Sequence, residues 1–167
     1  MTVDRDGFRD SMAHLGAAVN IVTTCGPAGQ CGFTASAICS LTDDPPTLIV
    51  CMNRGSKQNA AFKANMVACI NTLTASQKDL SEIFAGRKNL DMPQRFAAAE
   101  WTTMTTGAAV LKGALASFDC RIEQTLEIGS HSLFVCRVLA LTPCRNELAL
   151  MYFRRTFHAV GDLRKVN

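Results

Sequence analysis

The order of residues between Gly32 and Asn59, GFTASAICSLTDDPPTLIVCMNRGSKQN, constrains this chain more than any other stretch. It begins as a small-residue run, Gly32-Phe33-Thr34-Ala35-Ser36-Ala37. A polar turn closed by Pro45-Pro46 follows, then the apolar strand Thr47-Leu48-Ile49-Val50-Cys51-Met52. The strand leaves through Asn53-Arg54-Gly55-Ser56, a loop expected to open a short helix at Ser56.

Small side chains let a flat ligand lie close to the backbone. A helix starting at Ser56 would offer unpaired N–H groups to an anion. A planar ring beside a phosphate describes a flavin nucleotide, and the segment reads as its cradle.

Several other classes are disfavoured. A chain of 167 residues is most simply one domain over residues 1–167. Its net charge of +3 comes from scattered basic residues, which does not suggest nucleic acid. Of the eight cysteines, Cys39, Cys51, Cys69, Cys120 and Cys136 lie inside strand-like apolar runs, where free cysteine behaves as a small hydrophobe. With no C-x-x-C pair and three histidines, neither a disulfide framework nor a zinc site is expected. The start, Met1-Thr2-Val3-Asp4-Arg5-Asp6, lacks a signal-peptide core, and no run approaches the roughly 20 apolar residues of a membrane span. The expectation is a reduced, cytoplasmic protein.

Phe8, Met12 and Leu15 recur at helical spacing up to Gly16. The run 17–24 reads as a strand, and Gly26-Pro27-Ala28-Gly29 turns it into a hairpin with the cradle strand. Glycines spaced G-x-x-G-x-x-G are not a dinucleotide fingerprint, so a Rossmann site is not supported. Residues 56–65 and 76–85 read as helices and 66–73 as a strand. Residues 87–109 read as irregular, surface-facing and lid-like. Strand patterns return over 111–124, 133–141 and 148–153. Six or seven strands with a few helices predict an α+β, mainly β fold: an antiparallel β-barrel decorated by peripheral helices.

Six motifs in this order resemble one family. They are Phe8-Arg9-Asp10-x-Met12 with the 17–24 strand, Gly32-Phe33-Thr34-Ala35-Ser36-Ala37, Pro45-Pro46-Thr47, Cys51-Met52-Asn53, Gly129-Ser130-His131, and Tyr152-Phe153-Arg154-Arg155-x-Phe157-His158. Together, over residues 8–160, they resemble the short-chain flavin reductases of two-component monooxygenases, and most closely the branches serving 4-hydroxyphenylacetate hydroxylation and pyrimidine utilisation. The resemblance implies a split-barrel FMN-binding fold and a homodimer with flavin sites near the subunit interface. It also implies reduction of FMN, FAD or riboflavin by NADH or NADPH, with reduced flavin released to a separate monooxygenase. Nicotinamide would fold over the flavin face.

Such chemistry asks for alignment more than for reactive side chains, since the cofactor carries the hydride. Nicotinamide C4 must lie roughly 3–3.5 Å from flavin N5. Donors should face the ring's pyrimidine end, where charge develops. Phe33, Thr34, Ala35 and Ser36 are the candidates there, with backbone N–H groups and hydroxyls aimed at the ring. Asn53, Ser56, Lys57 and Asn59 are assigned to the ribityl and phosphate end, Ser56 as a helix cap. Arg87 and Lys88, following Phe84-Ala85-Gly86, offer a second phosphate contact, with Phe84 in the same wall. His131 is the candidate catalytic residue on the nicotinamide side, as a positioning group and not an obligatory base. Tyr152, Phe153 and Arg154 would wall the site; His14 and His158 are assigned to structure, or for His158 to the site rim. NADH is favoured over NADPH by family habit alone, and the choice among flavins stays open. Two other readings fit the same barrel: a non-enzymatic flavin carrier, and an oxidase of the pyridoxamine phosphate type, which would want a phosphate-binding arginine cluster.

Overall fold

The computed structural model describes residues 2–143 and 145–161. In chain order the elements are α1 (Arg5–Met12), β1 (Ala17–Ala18), β2 (Asn20–Thr24), β3 (Cys31–Ala35), β4 (Ile38–Asp43) and β5 (Pro46–Asn53). Next come α2 (Asn59–Asn65), β6 (Val67–Thr72), a single 3-10 turn (Ala75–Gln77), α3 (Lys78–Phe84) and α4 (Met92–Ala97). The chain finishes with β7 (Trp101–Thr103), β8 (Ala109–Leu111), β9 (Ala116–Ile128), β10 (His131–Leu141), β11 (Ala149–Phe153) and β12 (Thr156–Val160).

All strand pairs are antiparallel, which gives a mainly β fold with peripheral helices. The main sheet has seven strands in the order β3-β2-β6-β9-β10-β5-β4, with smaller sheets β1-β11-β12 and β7-β8. The two edges of the main sheet, β3 and β4, are consecutive in the chain and joined by Ser36-Ala37 alone.

Central strands are legible because both their faces are covered. Every residue of β2, Asn-Ile-Val-Thr-Thr, is buried, as are four of the six in β6. One core lies around Phe62 and Phe134, stacked at 6.1 Å, with Val22, Val50, Met52 and Ile122. A second joins Ile21, Leu73, Leu80, Phe84 and Leu150. Buried polar groups are paired: Asn71 donates to Ile21 O and accepts from the Leu111 N–H and Ser117 Oγ.

Four expectations change. Residues 38–43, read as a polar turn, form the edge strand β4, whose burial pattern is almost wholly exposed. The 87–109 segment, read as irregular, contains α4 and β7 and ends on the first residue of β8. Phe96 and Trp101 pack on Phe84 with ring centroids 5.2 and 5.6 Å away, so this segment walls the second core and is not a lid. Twelve strands are present among the described residues, against six or seven expected, because β1 and β2 break at Val19 and the short β12 is almost wholly exposed. Finally, α1 buries none of its residues, leaving Phe8 and Met12 exposed.

Candidate functional site

The corner between β3 and β4 faces solvent at Ser36 and Ala37. Its carbonyls are used: Ser36 O accepts from the Ile38 N–H and Ala37 O from the Cys51 N–H, both at 3.0 Å. Its own two amides have no protein acceptor among the described residues, so they are free to donate outward. Beside the corner is a cleft of about 190 Å3 lined by Thr34, Ala35, Ser36, Arg87, Tyr152 and Phe157. The Arg87 guanidinium stands 3.6 Å from Glu82, which Lys88 also approaches at 4.0 Å. Tyr152 meets Phe157 edge-on at 5.1 Å, a partner fixed by the β11–β12 register.

The loop after β5 is built by hydrogen bonds from Asn53. Its Oδ1 accepts from the Gly55 N–H at 2.7 Å and its carbonyl from the Ser56 N–H at 3.1 Å. The helix begins at Asn59, three residues later than expected, and its cap, Gln58, makes no side-chain cap bond. Ser56 therefore does not cap it; the Ser56 hydroxyl donates to Gln58 Oε1 instead. Lys57 is exposed and has no ion-pair partner among the described residues.

Strand register brings the remaining candidate into the same strip. His131 on β10 sits directly opposite Asn53 on β5, and the Arg54 N–H donates to Ser130 O at 2.9 Å. The imidazole is exposed, with Nδ1 2.9 Å from Ser130 Oγ. Asn53 lies two residues along β5 from Cys51, whose amide holds the corner, a step of roughly 7 Å at strand rise. Corner, loop and His131 thus follow one another along β5 and its β10 partner, while the cleft reaches the corner through Ser36 and includes no residue of the loop or of β10.

Some candidates are turned elsewhere. Phe84 is 2% exposed and is core, held among Phe96, Trp101 and Gly32. A Cβ on Gly32 would meet Val22 O at 3.0 Å and the Phe84 ring at 3.1 Å, so this glycine serves internal packing and not a ligand. Asn59 is buried, its amide given to Ser132 Oγ. The Thr34 hydroxyl is spent on Ser81 O and Phe33 packs edge-on against Phe62, while both residues pair with β2, so only alternate backbone groups of this edge strand face away from the sheet. Arg154 occupies the β11–β12 turn at φ +49°, its N–H bonded to Ala13 O, outside the cleft lining. His14 and His158 flank Phe153 at that same turn.

Residues with no motif of their own also take part. Ser81 and Glu82 line the cleft, beside Phe157 of the last motif. Glu127 gathers Lys63 Nζ at 2.7 Å, Ser132 Oγ at 2.9 Å and Arg54 Nε at 2.7 Å. The Lys63 ammonium bonded to it, helped by Ser132 and Arg54, holds its carboxyl below the ordinary carboxylate range. No sequence pattern marks it, because the partners come from a loop, a helix and a neighbouring strand.

Among the described residues the arrangement offers donors, an ammonium without an ion-pair partner and apolar walls, and the core thiols are not activated as nucleophiles. Burial pushes the Cys31 thiol up to about 11 and the Cys136 thiol to about 12, and raises Cys69 and Cys120 further. Such thiols stay protonated near neutrality. Outward amides at the corner suit the polar edge of a ring, and the cationic loop suits a phosphate. The residues therefore fit a flavin nucleotide.

Residues 12–161 match the family model described as flavin reductase like domain. The chain is 53% identical over 157 residues to the FMN reductase (NADH) RutF of Acinetobacter baylyi, covering 94% of this chain and 82% of that protein. To the protein of the same name from Serratia proteamaculans it is 49% identical over 158 residues, covering 95% and 89%. Among solved structures, BorF, the flavin reductase component of a bacterial two-component tryptophan halogenase, superposes with a TM-score of 0.87 at 27% identity, over 95% of this chain and 99% of that one. A fold whose edges meet at a donor-bearing corner, and a family match over nearly the whole chain, give one answer: the protein belongs to the flavin reductase like domain family.

Proposed function

We propose that this protein is an NADH-dependent flavin reductase that treats FMN, FAD or riboflavin as a diffusible substrate and passes reduced flavin to a separate monooxygenase. The observation that carries the reading is the single strip formed by the corner amides, the Lys57 loop and His131. Flavin, when bound, supplies the hydride-accepting ring, and the protein's part is placement. The Ser36 and Ala37 amides donate to the ring's polar edge, where they stabilise charge that builds up on reduction. Lys57 and the Asn53–Ser56 turn hold the phosphate end, while Arg87 and Tyr152 close the cleft side. His131 orients the nicotinamide amide group from the opposite strand. NADH is preferred because the two relatives compared above carry it in their names.

The proposed architecture is a split barrel, supported by the fact that the sheet's edge strands are chain neighbours joined by two residues. The proposed assembly is a homodimer. A second cavity of about 650 Å3 has Ile38, Leu48, Phe118, Val138 and the exposed Leu141 among its lining. An apolar surface of this kind is the sort a second copy covers.

Steady-state NADH oxidation, with FMN, FAD and riboflavin each as acceptor, tests the activity. Acceleration by added flavin, with flavin lost on dialysis, is the expected result. Bound flavin without NADH turnover would replace the reductase with a carrier.

A further inference from the structure

We propose that Glu127 is a positioning residue for both ligands, a single carboxylate that locks the loop carrying Lys57 to the turn carrying His131. The proposal rests on the site assigned above. The Oε1 oxygen takes Lys63 from α2 and Ser132 from β10, and Oε2 takes Arg54 from the loop. Arg54 in turn grips the β9–β10 turn twice, through its backbone N–H to Ser130 O and its Nη1 to Gly129 O at 3.2 Å. Ser132, fully buried, accepts from Asn59 at the start of α2, and Asn59 reaches back to Asn53 O at 3.5 Å. The path therefore closes on itself: Asn53, Arg54, Glu127, Ser132, Asn59 and Asn53 again.

Magnitudes decide what this circuit is for. Ion pairs as exposed as these, with Arg54 52% and Glu127 36% accessible, add little to folding stability. Misplacing a reacting partner by about 1 Å can cost on the order of 100-fold in rate. A device worth little to the fold yet tying together both proposed ligand contacts is explained by alignment. Neither end has another side chain doing this: Lys57 has no ion pair among the described residues, and His131 touches its own neighbour Ser130.

The test measures KM for FMN and for NADH, kcat and Tm in Glu127→Ala, Glu127→Gln, Arg54→Ala and the double variant Arg54→Ala/Glu127→Ala. Glu127→Ala is expected to raise both KM values about fivefold or more while Tm moves by only a few degrees. Glu127→Gln keeps an acceptor for Ser132 but loses the charge, and falls between; it carries the test if the alanine variant folds poorly. Because Glu127 acts through Arg54, the second substitution is expected to add less than about twofold to the first. A merely structural role would lower Tm and activity per milligram while leaving kcat per folded site and both KM values alone, and that result overturns the proposal. So does full multiplicative additivity with Arg54→Ala. Lys57→Ala and His131→Ala, run alongside, separate the two failures. If they raise KM while the Glu127 variants do not, the positioning role alone is lost; if they too are silent, the site assignment falls and takes this role with it.

Discussion

Lys57 stands in its loop with no acidic neighbour within ion-pair reach among the described residues, so its charge is available to a phosphate. Lys57→Ala is expected to raise KM for FMN about fivefold or more and to leave KM for riboflavin, which has no phosphate, nearly unchanged. Parallel saturation curves with the two acceptors check it. His131→Ala is expected to cut kcat/KM for NADH by about tenfold with little effect on flavin KM, because the imidazole lies on the β10 side of the loop. Equal losses for both ligands would move the histidine to the flavin. At this scale the sequence identified residue types well and their use less well. Thr34, Asn59 and Phe84 sit in the expected segments, but α3 claims the first hydroxyl, Ser132 the amide and the second core the ring. Which neighbour wins a side chain depends on packing between elements far apart in sequence, and no local pattern records it.

Elements were legible where burial shaped their composition. The runs that became β2 and β6 are buried on both faces and β5 on one, with its other face half-buried, whereas β4 and β12 were hidden by their exposure to solvent. The start of α4 did carry a readable signal: Asp91 accepts from the Gln94 N–H, Gln94 Oε1 accepts from the Asp91 N–H, and Pro93 stands in the first turn. The helix it starts carries Phe96, whose ring packs edge-on against Phe84. Phe84→Ala is therefore expected to cost about 3–5 kcal/mol of stability, by urea denaturation, and to leave flavin KM of the folded protein unchanged. A selective loss of flavin binding without loss of stability would return Phe84 to the site. The β9–β10 hairpin end stays ionised at Glu127 at every pH above the ordinary carboxylate range. Its contribution is lost only as pH falls through the lowered value, where the folded state must take up a proton.

For the whole molecule, the seven described cysteines are free, and their exposure sorts them. In the native protein Cys39 on the edge strand is expected to react with a thiol reagent first, while Cys69, Cys120 and Cys136 stay silent until unfolding. A time course of labelling read by mass spectrometry checks the order, and early modification of the core thiols would contradict this burial. The antiparallel, strand-rich class was readable from the alternation of apolar runs and turns, but sheet order was not, since it depends on which runs pair across the chain. Here that order has a mechanical consequence. With β3 and β4 at opposite margins of one sheet, the Ser36-Ala37 link works as a fixed-length hinge pin that sets how wide the seam can stand. One extra glycine inserted between those two residues is expected to leave the Phe62–Phe134 interior intact while abolishing flavin turnover, since the pin would no longer hold its two outward amides in line.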